Sequence, residues 1–181
     1  MRLSKPGFVH KAVFLDRDGV INVRPPEGLY ITSVDELVIL EGVAESIAQL
    51  NASGFLVIVV TNQRCIARGL VTAEEVSNIH QKMLKLIGSV ACRIDGVFVC
   101  PHDCTDNCDC RKPKPGMLLR AASDYSIDLH SSWMVGDSVS DIAAGQAAGC
   151  RTIMVGEVID RQADRTTRNL PEAVSFILKV Q

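Results

Sequence analysis

The segment Phe14-Leu15-Asp16-Arg17-Asp18-Gly19-Val20-Ile21-Asn22 carries two carboxylates, two positions apart, at the end of an apolar run. If that run is a β-strand, side chains at i and i+2 leave it on the same side, so Asp16 and Asp18 face one space. Such a pair can share one hard cation and still divide its labour. A metal-bound Asp16 can attack phosphorus. Asp18 can protonate the departing oxygen and then deprotonate the water that cleaves the acyl phosphate. An Asp-x-Asp-Gly by itself is equally an ordinary acidic turn, so the reading depends on what else the chain brings to the same place.

Three further segments qualify. Thr61-Asn62 offers a hydroxyl and amide donors for phosphoryl oxygens. Lys112, within Cys110-Arg111-Lys112-Pro113-Lys114-Pro115-Gly116, supplies positive charge to a transferring phosphoryl group. Gly136-Asp137-Ser138-Val139-Ser140-Asp141 adds acids. Asp137 can complete the oxygen shell that magnesium requires, and Asp141 reads as a supporting or helix-terminal acid.

A separate cluster, Cys100-Pro-His102 followed by Cys108-Asp-Cys110, provides three thiolates and an imidazole. That set suits tetrahedral zinc with no position left open, hence a structural ion bracing the loop that delivers Arg111 and Lys112. Cys104 lies in the same loop as a donor that could compete. Cys65, Cys92 and Cys150 are expected as buried small apolar residues. His10, His80 and His130 show no partner pattern and read as surface or structural.

The elements that must position these groups are short apolar runs at 12–15, 55–60, 97–99, 133–135 and 151–155, all but the last ending in polar, chemically capable residues. Between them, Val43, Ile47 and Leu50 recur at helical spacing. Val76, Ile79, Met83 and Ile87 do so behind a Thr72-x-x-Glu75 capping box. Further helices are expected from Pro115-Gly116 to about Tyr125, over 141–148 closed by Gly149, and over 171–179, with 160–169 a polar stretch. The alternation predicts an α/β, three-layer Rossmann-like fold with a mostly parallel sheet, in which ligands sit beyond the carboxyl ends of the strands.

At 181 residues the chain is expected to be a single domain over 1–181. A formal net charge of −2 offers no basic stripe for a nucleic-acid backbone. Residues 1–7 lack the apolar core of a secretion signal, and the run 55–60 is too short to span a bilayer, so a cytoplasmic location without membrane association is expected. The odd count of seven cysteines argues against a disulfide framework.

Taken in order over nearly the whole chain, the four segments resemble the motifs of the haloacid dehalogenase superfamily of phosphatases. A narrower likeness rests on Leu15-Asp16-Arg17-Asp18-Gly19, Asn62-Gln63 with Ile66-Ala67-Arg68-Gly69, the cysteine loop, and the run from Cys110 to Gly116. Together these resemble the D,D-heptose 1,7-bisphosphate phosphatases and their histidinol-phosphate phosphatase relatives. The resemblance implies an aspartyl-phosphate enzyme with Asp16 as nucleophile and magnesium ligand. Asp18 would be acid and base, with its backbone carbonyl also on the metal. Thr61 and Lys112 would stabilise the phosphoryl group, and Asp137 would be a further magnesium ligand. Asn22, Asn62, Gln63, Arg64 and Arg111 would lie near the substrate.

The family pattern also assigns zinc to Cys100, His102, Cys108 and Cys110 rather than Cys104. The implied substrate is a small phosphorylated sugar whose 7-phosphate is removed on the way to nucleotide-activated heptose, with histidinol phosphate as the alternative. The family usually has Ser-Gly where this chain has Arg64-Cys65. Arg64 could therefore contact the phosphate that is not transferred, or be a solvated arginine. With about forty residues between Asp18 and Thr61 and about fifty from there to Lys112, mostly core elements, a capless enzyme is expected, a monomer like many of that class. A zinc-stabilised binding module would not need the full acid and lysine set, and a phosphatase of nucleic-acid ends would want a basic groove.

Overall fold

The computed structural model describes residues 9–88, 92–157 and 161–180. The expectations on residues 1–7 and on Asp160 lie outside the described residues. Six strands form one sheet: β1 (Lys11–Leu15), β2 (Phe55–Asn62), β3 (Gly96–Cys100), β4 (Trp133–Gly136), β5 (Arg151–Val155) and β6 (Arg165–Thr167). Their order is β3-β2-β1-β4-β5-β6, and each neighbouring pair is parallel. The crossovers carry α1 (Val43–Ala52), α2 (Ala73–Ile87), α3 (Gly116–Tyr125) and α4 (Val139–Ala148), and α5 (Leu170–Lys179) follows β6.

Because helices cover both faces, the central strands are apolar continuously rather than alternately. Alternation then decides which face each residue serves. Val13, Leu15, Val57, Val59 and Val135 pack with α1, α2 and α5 through Ile47, Met83 and Val174. Ala12, Phe14, Ile58, Val60 and Met134 pack with α3 and α4 through Leu118 and Ala144. The result is the expected three layers.

Local signals set the boundaries. Thr72 caps α2: its hydroxyl accepts from Glu75 N at 3.1 Å, while the Glu75 carboxylate accepts from Thr72 N at 2.7 Å. Helix α4 starts at Val139, two residues before the expected Asp141, because Ser138 is its N-cap and Asp141 takes the third helical position. Strand β2 continues through Thr61 and Asn62, which therefore end the strand rather than follow it. The polar stretch also proves to contain β6. That strand pairs with β5 alone, at the sheet edge, so no long apolar run announces it.

The chain leaves β1 toward β2 and β3, then returns to build β4, β5 and β6 on the other side. The crevice at the carboxyl end of β1 is thus the place where the winding direction reverses, the usual ligand position in open α/β sheets. The β1–β2 and β2–β3 connections hold a short 3₁₀ turn, α1 and α2, and no separate cap unit among the described residues. No helix among the described residues is long and apolar enough to cross a membrane.

Candidate active site

Asp16, Thr61, Asn62 and Asp137 sit at adjoining strand ends, and the loop after β3 swings Arg111 and Lys112 over the same crevice. The resulting cleft, about 600 Å³, is lined by Asp16, Asp18, Thr61, Asn62, Arg111, Lys112, Ser138, Ser140 and Asp141 and by the segment 24–30. Lys112 is its electrostatic hub and is nearly inaccessible, with its side chain 1% exposed. The Nζ donates to Asp16 Oδ1 at 2.8 Å and to Val60 O at 2.9 Å, and lies 2.5 Å from Asp141 Oδ1. Burial works against this ammonium, but the two carboxylates outweigh it and raise its pKa, so Lys112 stays charged. Asn62 clasps the Lys112 backbone, its Nδ2 donating to the carbonyl and its Oδ1 accepting from the amide, each at 3.1 Å.

The acids shift upward as well, which for them favours the neutral form. Burial, reinforced by Asp141 and opposed by Lys112, raises Asp16 to about 7. Burial likewise raises Asp137 to about 6, against the pull of Arg24. Carboxylate oxygens of Asp16, Asp137 and Asp141 lie within 4.8 Å of one another, and Asp137 Oδ1 is buried with no hydrogen-bond partner. An acid-rich oxygen site with an unpartnered buried oxygen is what a magnesium ion would complete. Gly19 permits the approach: with φ +89 it leaves room where a Cβ would fall 1.8 Å from Asp137 Oδ2.

The Asp18 carboxylate lies outside that trio of acids. It accepts from Arg17 Nη2 at 2.9 Å to each oxygen, from Asn22 Nδ2 at 2.9 Å and from Gln63 Nε2 at 3.3 Å. Three residues expected near the substrate are placed as follows. Asn22 and Gln63 are buried, lie outside the cleft lining and donate to the Asp18 carboxylate. Arg64 is drawn out of the cleft by Asp103, its Nε 2.6 Å from Oδ1, and that guanidinium holds Asp103 well below the usual carboxylate range. Conversely, sequence reasoning missed Arg24, whose Nη1 lies 2.9 Å from Asp137 Oδ2, and Tyr30, also on the cleft wall. Arg17, inside the quoted motif, was the one signal available for the Asp18 contact. The buried His80 beside it, on a helix far along the chain, gave none.

The second cluster is compact. Sγ of Cys110 lies 3.2 Å from that of Cys100 and 3.5 Å from that of Cys108, and Cys100 and Cys108 are 3.7 Å apart. His102 Nδ1 lies 3.2 Å from Cys110 Sγ and 3.7 Å from Cys100 Sγ. Ligand bonds of about 2.3 Å to sulfur in a tetrahedron place donors roughly 3.8 Å apart, so the four fit zinc after a small expansion. Burial and the neighbouring thiols push Cys110 up to about 12, so zinc must displace protons to bind here. Cys104 is exposed and turned to Asp103 Oδ1, 3.0 Å away. Replacing Cys104 by Ser is therefore expected to leave zinc near one per chain by mass spectrometry under native conditions; loss of the ion would move Cys104 into the site.

The pattern of the HAD-hydrolase-like family matches residues 109–178. The D-glycero-β-D-manno-heptose-1,7-bisphosphate 7-phosphatase of Pasteurella multocida is 36% identical over 180 residues, spanning 94% of this chain and 96% of that protein. The chain belongs to the haloacid dehalogenase-like phosphatases. The Pseudomonas aeruginosa protein of the same name is 39% identical over 143 residues, 79% of each chain. A crystal structure of D,D-heptose 1,7-bisphosphate phosphatase from B. bronchiseptica, complexed with magnesium and phosphate, superposes with a TM-score of 0.85 at 32% identity over 94% of this chain and 99% of that one.

For this haloacid dehalogenase-like phosphatase the raised acids lead to an expected pH dependence of magnesium binding. Asp16 and Asp137 are largely protonated at pH 5 and largely ionised at pH 8, given values of about 7 and about 6. If these carboxylates hold magnesium, the ion must displace those protons, so titration calorimetry should show its dissociation constant rising at least about tenfold from pH 8 to pH 5. An unchanged constant would mean that the carboxyls titrate as they do in water.

Proposed function

We propose that this phosphatase removes the 7-phosphate of D-glycero-β-D-manno-heptose 1,7-bisphosphate, a step toward nucleotide-activated heptose, with Asp16 as nucleophile. The observation that carries the reading is Asp16 at the switch point of the sheet, one oxygen fixed by Lys112 and Asp18 beside it in an open polar cleft. The near full-length likeness to heptose bisphosphate phosphatases supplies the substrate class.

The contacts support the following steps. An Asp16 oxygen attacks phosphorus, the bond from phosphorus to the heptose oxygen breaks, and Asp18 gives that oxygen a proton. Asp18 then takes a proton from water, which attacks the same phosphorus and releases phosphate and the Asp16 carboxylate. Thr61 Oγ1 already accepts from Gln63 Nε2 at 2.8 Å, so its own proton is free for a phosphoryl oxygen. Lys112 offsets the charge that gathers there. Asp16 and Asp137, with the backbone carbonyl of Asp18, would hold magnesium, which supplies Lewis-acid stabilisation of phosphoryl oxygens when bound. Asp141 adds a carboxylate to the same cluster and also anchors Lys112. Cys100, His102, Cys108 and Cys110 would hold a structural zinc next to Arg111, whose position on the cleft suits contact with substrate.

The test is phosphate release from heptose 1,7-bisphosphate, fructose 1,6-bisphosphate and histidinol phosphate, each with and without magnesium. Magnesium-dependent turnover favouring the heptose by at least about tenfold is expected. Preference for histidinol phosphate would keep the chemistry and replace the substrate.

A further inference from the structure

Arg17 lies between the two catalytic aspartates in sequence but points its side chain away from Asp16 chemistry. The guanidinium is 1% exposed and engaged at both ends. One end forks onto Asp18, Nη2 donating to both carboxylate oxygens at 2.9 Å and Nε to Oδ1 at 3.1 Å. The other end, Nη1, meets Nε2 of His80 at 3.2 Å. His80 comes from the middle of α2 and is 6% exposed, on the floor of an apolar groove beside Val76, Leu84 and Val97.

The chemistry of this contact is one-sided. A guanidinium has donors only and does not lose its proton in a protein, so Nε2 must be the acceptor and the ring must be neutral, with its proton on Nδ1. Burial and the Arg17 charge both hold the imidazole near 4, consistent with a neutral ring. Without an acceptor there, a buried N–H of Arg17 would be left unsatisfied, and the fork on Asp18 would lose its fixed origin.

We infer that His80 is a positioning residue for the reaction: by accepting from Arg17 it fixes the guanidinium that holds the Asp18 carboxylate in its place on the cleft wall. The inference rests on the acid role given to Asp18 above. Neither residue has an orthodox place in the cleft, since both lie outside its lining.

General-acid help matters in proportion to the basicity of the leaving oxygen. A sugar alkoxide needs its proton, whereas p-nitrophenolate departs without one. The test is therefore kcat/KM, which reports transfer to Asp16, for the sugar bisphosphate and for p-nitrophenyl phosphate, in His80→Leu, His80→Gln and Asp18→Asn. His80→Leu keeps an apolar side chain of similar size in the groove but removes the acceptor. It is expected to lose at least about tenfold on the sugar phosphate and less than about threefold on p-nitrophenyl phosphate, whose retained turnover also reports an intact fold. His80→Gln, which restores an acceptor, is expected within about threefold of the parent on both. Equal losses on both substrates, no loss on either, or failure of Gln to rescue would overturn the positioning role. Asp18→Asn separates the two levels. If it spares the sugar phosphate selectively, the acid role itself fails and takes the His80 inference with it; if it shows the selective loss while His80→Leu does not, only the inference fails.

Discussion

Asp16→Asn is expected to lower turnover by at least about 10⁴-fold while making the metal-free protein more stable at pH 8, since the proposed nucleophile goes but a buried negative charge goes with it. The sign follows from the raised value of about 7 against an ordinary 3.8. A carboxyl whose folded pKa is raised contributes stability below its unfolded pKa and loses it as pH rises through the folded one. At pH 8 the ionised Asp16 shares one lysine with Asp141, two negative charges against one positive. The amide leaves a balanced Lys112–Asp141 pair. A gain on the order of 1 kcal/mol corresponds to about 2–4 °C for a chain of this size, read by thermal unfolding in chelator. Added magnesium should reverse the ranking, because it binds the parent more tightly and stabilises by mass action. Residual activity near that of the parent would remove Asp16 from the chemistry, and a less stable variant would show that the carboxylate is compensated better than its neighbours suggest.

Lys112→Met is expected to be damaging on both counts. Methionine fills the channel, but Asp16 and Asp141 then face each other in a buried site with no cation between them. Removing one partner of a buried ionic network costs about 3–5 kcal/mol, and loss of one charge-stabilising donor costs roughly 10²–10³ in kcat. Urea unfolding should show the larger stability loss at pH 8 and a smaller one at pH 5, where the carboxyls can take up protons instead. A pH-independent loss would point to packing alone.

Much of this arrangement was legible before any coordinates. The apolar runs of β1, β2, β4 and β5 and the capping box of α2 are local signals, and each survives within a residue or two because both faces of the sheet are covered. The order of polar strand ends then places Asp16, Thr61, Lys112 and Asp137 together. What the sequence hid falls into two kinds. Strand β6 pairs on one edge only, and Thr152, rather than an apolar residue, ties in the approach to it through Asp164, whose carboxylate accepts from Thr152 N at 2.7 Å. The other kind is partner choice. The types of Asn22, Gln63 and Arg64 suit substrate contact, but which acid each one finds depends on the local turn for Asn22 and on packing across many residues of chain for Gln63 and Arg64. Asp18 takes the first two and Asp103 the third. Nothing periodic marks 24–30 as a cleft wall, since irregular backbone carries no repeat to read.

The pairing of β1 has a consequence for how such a chain can change. Leu15 is in register with Val59 on one side and Val135 on the other, and Asp16 follows directly. Gaining or losing one residue within β1 would turn Phe14 and Leu15 to the wrong layers in the same movement that turned Asp16 out of the crevice. The core thus proofreads the placement of Asp16, and a slipped strand cannot yield a sound protein with Asp16 out of the crevice. Segment 24–30 is under no such tie, because it lines the cleft without pairing into the sheet. Insertions beyond Arg24, whose guanidinium pairs with Asp137, are free to reshape what enters while the rest of the site stays in place, so substrate range and foldability can evolve on largely separate stretches of one short chain.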